Sequence, residues 1–445
     1  MSVHRFALER GPLKERHWLG VAMALSAAPH LTPARLGWSA GGVARFRILG
    51  RRFAAITDGK VARQVLQSDL FRRSFHYTTY QIVLGQGLFS SDGPSWARRR
   101  RLVQPAFRPK RLEVYHSVMG ACVGTMLRRW HEAAGQGRSV DAVAESHRLT
   151  LDIIGRSLFS MELGQEQADH LSRILTDCLM LVRRRNTALV RLPSWLPTPG
   201  RLRLQSIRRE LDRLIIPPVD ARLAHPHPQP RDMLDDLIAA RHPGDGNAMT
   251  RDMLVEEAKT LFITGYETTA VTLSWILYLL AAHPEEAAAW HRECDRLADA
   301  TASRDSPPLN AIINEGMRLL PVVYNLARVC VADTVVEGHA FNKGETLLIS
   351  MFGIHRSGDI WGDPDHFRPQ RFLHPDCPME HFMPFAAGKH MCIGAGFAEA
   401  EIFTALRHIG RHFTLGLAEG AVVGMTPRVT LAPDRPILLT LAPRS

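Results

Sequence analysis

No run of this 445-residue sequence is long and apolar enough to span a bilayer: the most hydrophobic N-terminal stretch, Trp18 to Ala28, is about half the required length. It also lacks the leading charge, long apolar centre and cleavage site of a secretory signal. A soluble, cytoplasmic protein without a membrane anchor is expected. Cysteine is scarce and scattered, at Cys122, Cys178, Cys294, Cys330, Cys377 and Cys392. With no CxxC pair, that pattern fits a reducing compartment rather than a disulfide scaffold.

Lysine is nearly missing as well. Only six of the 55 basic residues are lysines, and the rest are arginines. There is no basic tail and no basic strand interleaved with aromatics, so the formal charge of +11 does not point to nucleic acid. An anionic membrane, an acidic protein partner or a general arginine preference remain as readings of that charge. Internal repeats, a domain linker and a nucleotide-binding glycine loop are all absent. Length alone favours two domains; without a linker, one domain over 1–445 is expected.

What is present reads as a mainly α chain with a small β region. The N-terminal β-rich part, about 40–57, is a hairpin from Arg45 to Ile56 turning at Gly50. A helix over Lys60–Gln67 and a long aromatic loop over Phe71–Ser91 follow. A helical core occupies about 94–325, with patterns at Pro94–Val103, Val114–Ala134, Ala142–Phe159, Gln167–Arg185 and Leu202–Leu223. Its clearest helix starts at an N-cap, Thr250, with Asp252 in the first turn, and stops before His283-Pro284. At about 30 residues it is roughly 45 Å long, and its second half is apolar on nearly every face, so it should be buried. Helices over Leu309–Leu320 and Gly396–Phe413, strands over Val329–Val336 and Glu345–Met351, and a C-terminal β region, about 415–445, with a turn at Pro433–Pro436, complete the reading.

Five motifs carry chemistry. In Phe385-Ala-Ala-Gly388-Lys-His390-Met-Cys392-Ile-Gly394, a cysteine sits between glycines and just before a helix start. Backbone N–H donors and a helix N-terminus there would favour a thiolate, and Gly388 and Gly394 would let the loop wrap the sulfur and approach a porphyrin closely. Glu315-Gly-Met-Arg318 places an acid and an arginine one helical turn apart, and Arg371 follows in Phe367-Arg-Pro-Gln-Arg371-Phe372. Trp96 and Arg100 share a helix face at i and i+4. Thr264-Gly265-Tyr266-Glu267-Thr268-Thr269 interrupts the long buried helix with polar groups, which are costly there unless satisfied.

Taken together and in their order along the chain, these motifs resemble those of the cytochrome P450 family, and the resemblance covers essentially the whole chain. It implies the family's fold around a single haem b, with Cys392 as the axial sulfur ligand to iron. Phe385, Gly388 and Gly394 match the family's haem-binding signature; where it usually has arginine, this chain has His390, which can still donate to a haem propionate. The resemblance further implies that Trp96, Arg100 and Arg328 hold the propionates. Glu315, Arg318 and Arg371 are implied to be structural. Gly265, Glu267 and Thr268 match the family's oxygen-activation motif, in which the acid and the threonine relay protons during O–O cleavage.

The implied activity is a monooxygenase that inserts one atom of O2 into a lipophilic small molecule. Electrons would come from NAD(P)H through a separate ferredoxin or flavodoxin and its reductase, since no flavin or iron–sulfur segment is present. A haem-thiolate enzyme that does not activate O2 (a peroxide-driven hydroxylase or an isomerase) and a non-enzymatic haem sensor are alternatives. The first commonly loses the acid–threonine pair, which this chain keeps. Expected pocket walls are Phe75–Phe89, Leu179–Leu196, Phe262, Ile263, Val322–Leu326 and the Pro433–Pro436 turn. Within them, Arg183-Arg-Arg185 is placed where a guanidinium could hold a carboxylate. Arg98, Arg99, Arg101, Arg108, Lys110 and Arg111 are expected to form a positive docking patch for the electron donor.

Overall fold

The structure, a computed structural model, describes residues 17–188, 196–297, 306–419 and 421–444. Two helices, α1 (Trp18–Ala27) and α2 (Leu31–Ser39), precede the hairpin of β1 (Val43–Ile48) and β2 (Arg51–Ile56). The hairpin register pairs Ile48 with Arg51, so its turn is Leu49-Gly50, and both residues take positive φ. Next come α3 (Gly59–Gln67), capped by the Asp58 side chain, β3 (Phe71–Arg73), and α4 (Gln81–Leu84) within the aromatic loop. The helical body continues with α5 (Gly93–Val103), α6 (Pro109–Gly135), the short β4 (Val140–Asp141), α7 (Ala142–Phe159) and α8 (Gln165–Thr187). Helix α9 (Pro199–Ala224) runs through Pro217 and Pro218, its buried stripe of Leu204, Ile207, Leu211, Ile215 and Val219 holding it against the core.

The short α10 (Met233–Ala239) leads to α11 (Arg251–Ala282), which spans 32 residues. Thr250 caps α11 as its pattern indicates, its hydroxyl accepting from Met253 N–H at 3.3 Å. Most of its residues from Leu254 to Leu280 are buried, so it forms the axis about which the other helices pack. It lies against α7, where a Cβ on Gly265 would come within 3.2 Å of Ile154 Cδ1. Gly265 lets α11 sit close to α7 and also lines the cavity beneath the helix, and α11 passes through the position without a break.

Beyond α11 stand α12 (Pro284–Arg296) and α13 (Pro307–Leu319). The strand expected from Val329 begins earlier, as β5 (Asn325–Cys330), and 331–333 separate it from β6 (Thr334–Val336). The reason is tertiary: Asn325 to Val329 are held by pairing with β8 (Thr346–Ser350), reached through β7 (His339–Phe341). The main sheet has the order β1-β2-β8-β5-β3. After β8 come α14 (Met351–His355), α15 (Gly358–Trp361) and a meander into the cysteine loop. Helix α16 (Ala395–His412) then leads to β9 (Phe413–Leu417), β10 (Met425–Pro427), β11 (Leu431–Pro433) and β12 (Leu438–Pro443). Among the described residues no helix is long and apolar enough to cross a membrane.

Candidate active site

A cavity of about 920 Å³ lies between α11 and the cysteine loop. From below, the Cys392 sulfur opens into it. The loop reverses around that sulfur because Cys392 N–H donates to Phe385 O at 3.0 Å and Met391 N–H to Gly388 O at 3.0 Å. Burial raises the Cys392 thiol, while the Gly394 N–H and the Arg100 guanidinium counteract it. The glycines have different tasks. Gly388 takes φ +70° and a Cβ there would meet Leu66 O at 2.4 Å, so it lets the loop press on α3 and does not face the cavity, contrary to the expected approach to a porphyrin. Gly394 does line the cavity, beside Phe385.

A cationic group gathers at one side of the sulfur. Arg100 from α5, donating to Met391 O at 3.0 Å, and Arg328 from β5, 2% exposed, both line the cavity. Trp96, one turn before Arg100, packs against His390, with ring centroids 4.1 Å apart. His390 Nε2 lies 3.3 Å from Asp92 Oδ1, without a well-aligned hydrogen bond. Burial holds the imidazole below its ordinary pKa against the pull of Asp92. In turn, burial alone would raise Asp92, but His390 and the Gly93 and Arg73 N–H groups outweigh it and hold the carboxyl low. Arg73, absent from the sequence reading, joins the group: its Nη1 donates to the carbonyls of Leu88, Phe89 and Ser91, and its Nε is buried without a partner. Buried donors with nothing to donate to, beside a single carboxylate, fit an anionic ligand carrying carboxylates.

From above, α11 presents Thr260, Thr264, Thr268 and Thr272 to the cavity, four threonines each one turn apart. Each hydroxyl donates to the carbonyl four residues earlier, at 2.7–2.8 Å, which satisfies it without unwinding the helix. Glu267, 2% exposed, accepts from Thr430 Oγ1 at 3.1 Å, and its Oε2 has no hydrogen-bond partner. Burial raises its carboxyl above the ordinary glutamate value, against the hydrogen bond from Thr430 and the charge of Arg428. Tyr266 is turned to the rear of α11. Its hydroxyl donates to Ser172 Oγ at 2.8 Å and lies 2.5 Å from His147 Nδ1, and that same Nδ1 is 3.8 Å from Glu267 Oε2.

Several expected walls are placed differently. Leu261, Ile263 and Thr264 line the cavity, whereas Phe262 points into the core beside Phe159. One residue is 100° of helix rotation, and packing against α7 selects the face. The C-terminal contribution comes from Arg428, Val429 and Thr430 rather than the Pro433–Pro436 turn. Leu179, Arg183, Asn186, Thr187 and Ala188 contribute from α8 and its end; 189–195 lie outside the described residues. Tyr80, Leu84, Leu88, Phe89 and Val322–Leu326 supply walls where expected.

Glu315, Arg318 and Arg371 meet in a buried cluster away from the cavity. The supposed surface patch loses Arg99, which is 6% exposed and donates to Glu257 at 2.8 Å and Glu256 at 2.6 Å. Arg111 is engaged by Asp236 at 2.8 Å, and Arg98 is paired with Asp245. Arg101, Arg108 and Lys110 stay exposed.

Comparison with known proteins identifies the family. The cytochrome P450 family model matches residues 12–440. A putative cytochrome P450 132 of Mycobacterium tuberculosis is 30% identical, covering 88% of each chain. A cytokinin hydroxylase of Arabidopsis thaliana is 30% identical over 81% of this chain and 72% of its own length. A cyclooctat-9-en-7-ol 5-monooxygenase of Streptomyces melanosporofaciens is 27% identical, over 89% and 84%. Among solved structures, the haem domain of cytochrome P450DA superposes with a TM-score of 0.85 at 24% identity, over 98% of this chain and 97% of that one.

Proposed function

The chain belongs to the cytochrome P450 family and is a haem-thiolate monooxygenase, and we propose that it oxidises a lipophilic small molecule with electrons delivered by a separate redox protein. One observation carries the proposal: Glu267 and Thr268 open onto the same cavity as the Cys392 sulfur, and the rest of that cavity is walled largely by apolar side chains.

In this reading Cys392 Sγ ligates the haem iron, helped by the Gly394 N–H and the charge of Arg100. Arg100, Arg328, His390 and Trp96 hold the propionates, with Arg73 as a further donor. When bound there, haem would supply the redox chemistry of oxygen, with Cys392 as its sulfur ligand. Glu267 is the acid of the relay: burial favours its protonated form, and its Oε2 has no hydrogen-bond partner that would compete for the proton. Thr268 Oγ1 has its own hydrogen committed to Thr264 O, so it receives a proton on a lone pair and passes one on as that bond opens. The apolar walls keep bulk water from the reacting centre. Glu315, Arg318 and Arg371 hold the meander that carries the cysteine loop.

The donor in this reading is a ferredoxin or flavodoxin reduced from NAD(P)H, in the cytoplasm. A screen of terpenoids, fatty acids and polyketide-like compounds for shifts of the haem absorption band, followed by NADH consumption with product analysis, tests the proposal. Shifts confined to polar compounds, or NADH oxidation without oxygenated product from any ligand that binds, would remove it.

A further inference from the structure

Tyr266 stands between Gly265 and Glu267 in α11, yet it faces away from the cavity and is fully buried. A phenol there is costly unless its hydroxyl is partnered. It has two partners, one from α8 and one from α7. Ser172 Oγ lies 2.8 Å away and His147 Nδ1 lies 2.5 Å away. The same Nδ1 stands 3.8 Å from Glu267 Oε2, which is buried and makes no hydrogen bond. At the other end of this row, Ser172 is half-buried.

Packing accounts for the bonds within the row but not for its end. A buried carboxyl oxygen left unpaired beside an imidazole calls for a reason. The other oxygen, Oε1, is already held by Thr430 at 3.1 Å. The relay itself supplies one: each proton that leaves Glu267 has to be replaced from water. A lipophilic substrate in the apolar cavity closes the direct path, so the replacement has to arrive from behind α11.

Resting on the role given to Glu267 above, we propose that Ser172, Tyr266 and His147 form a proton wire that reloads Glu267 from solvent through the rear of α11. Hydroxyls donate and accept at once, and an imidazole takes up one proton and gives up another. In the loading orientation the ring hydrogen of His147 sits on Nε2, Tyr266 donates to Nδ1 and Ser172 donates to Tyr266. Rotation of the two hydroxyls reaches it from the Tyr266-to-Ser172 bond of the structure. Ser172 takes a proton from water and passes its own hydrogen to the Tyr266 oxygen, while Tyr266 passes its hydrogen to Nδ1. The imidazolium so formed gives the Nδ1 hydrogen to Oε2 of the Glu267 carboxylate. That N–H bond breaks as the O–H bond forms, and the neutral ring and both hydroxyls are restored. One proton has moved from water to the carboxyl.

Closing the gap from 3.8 Å to a hydrogen bond takes about 1 Å of movement, within a torsional adjustment of the Glu267 side chain. Burial, with Arg428 adding to it, lowers His147 to about 4, so the ring is neutral until a carboxylate appears beside it. Neither His147 nor Tyr266 lines the cavity, so both act through Glu267.

The test uses the haem-loaded protein. Tyr266→Phe removes only the hydroxyl, and His147→Asn keeps a hydrogen-bonding atom near Nδ1 that cannot carry a proton. Both should leave substrate-induced spectral shifts unchanged, while product per NADH consumed falls at least about fivefold. Oxygenation driven by iodosylbenzene, which needs no proton, should reach the wild-type yield in both. Its loss would reduce Tyr266 and His147 to packing residues. Proton NMR of the reduced carbon monoxide complex should show a low-field resonance from the His147–Tyr266 bond that Tyr266→Phe removes, and its absence from the unaltered protein would overturn the wire. Glu267→Gln should uncouple as strongly, and adding His147→Asn to it should bring no further loss. Wild-type coupling in both single variants, with Glu267→Gln uncoupled, would overturn the wire and leave the acid in its role. Wild-type coupling in Glu267→Gln as well would overturn both.

Discussion

Glu315 Oε1 accepts from Arg371 Nε at 3.0 Å while the same carboxylate takes a two-pronged contact from Arg318, at 2.6 and 2.9 Å. The Arg368 N–H adds a fourth bond at 2.8 Å. The spare guanidinium hydrogens go to carbonyls: Arg318 reaches His355, Pro364 and His366, and Arg371 reaches Trp361 and Asp363. One helix is thereby tied to a meander that has little regular structure of its own. Because every member is satisfied, the cluster can persist with Glu315 and Arg318 fully buried.

Removing one partner strands a buried charge. Arg318→Ala or Glu315→Ala should destabilise by about 3–5 kcal/mol, measured by denaturant unfolding, and haem content after expression should fall. Arg371→Ala should cost less, because Arg371 is partly exposed. Equal losses for all three would show that the meander does not depend on the pairing.

Replacing the sulfur tests the ligand directly. Cys392→His should abolish the red-shifted absorption band of the reduced carbon monoxide complex, and Cys392→Ser should abolish it also. The fold should survive, since Cys392 contributes to no buried apolar cluster. Retention of the band in the serine variant would transfer the ligand role to another cysteine.

Thr268→Ala removes the hydroxyl but leaves the helix continuous, as Thr264 and Thr272 keep their own carbonyl bonds. Substrate-induced spectral shifts should persist, while product per NADH consumed falls on the order of tenfold or more and hydrogen peroxide accumulates. Unchanged coupling would end the role given to this residue.

Acid should destabilise the protein through its buried histidines. Burial lowers His355 from 6.5 to about 3, with Arg318 adding to the effect, and lowers His30 and His147 to about 4. With folded values below the unfolded one, the unfolded chain binds protons first as pH falls. Their stabilising contribution is thus complete above pH 6.5 and is lost progressively toward about pH 3. His355 Nε2 accepts from Met383 N–H at 3.0 Å, a contact that glutamine can keep. Thermal unfolding from pH 7 to 4 should fall less steeply in His355→Gln, and identical slopes would contradict the assignment.

Donor docking now rests on fewer residues. Arg101→Glu with Arg108→Glu should slow reduction by the cognate ferredoxin or flavodoxin severalfold and flatten its salt dependence, leaving dithionite reduction normal. Arg99→Glu should instead destabilise by a few kcal/mol, because it adds a carboxylate against Glu256 and Glu257. Donor-driven turnover insensitive to salt and to the first pair would reduce the patch to a solvated surface.

The sequence by itself determined whatever depends on short separations along the chain. Thr250 as a cap, the turn at Gly50, the shared face of Trp96 and Arg100 and the Glu315–Arg318 pair follow from backbone geometry within a few residues. The Cys392 loop was legible for the same reason. Tertiary structure alone decided which way those local units face. Helical periodicity groups residues on a common side but does not say what that side meets, so Arg99 turned inward to Glu257, Phe262 turned to Phe159, and Tyr266 turned to His147 and Ser172. Partners distant in sequence left no local trace: Thr430 beneath Glu267 and Asp92 beside His390 come together only when helices and strands pack. The early start of β5 at Asn325 belongs with these, because a strand's ends are set by the neighbour that accepts its hydrogen bonds.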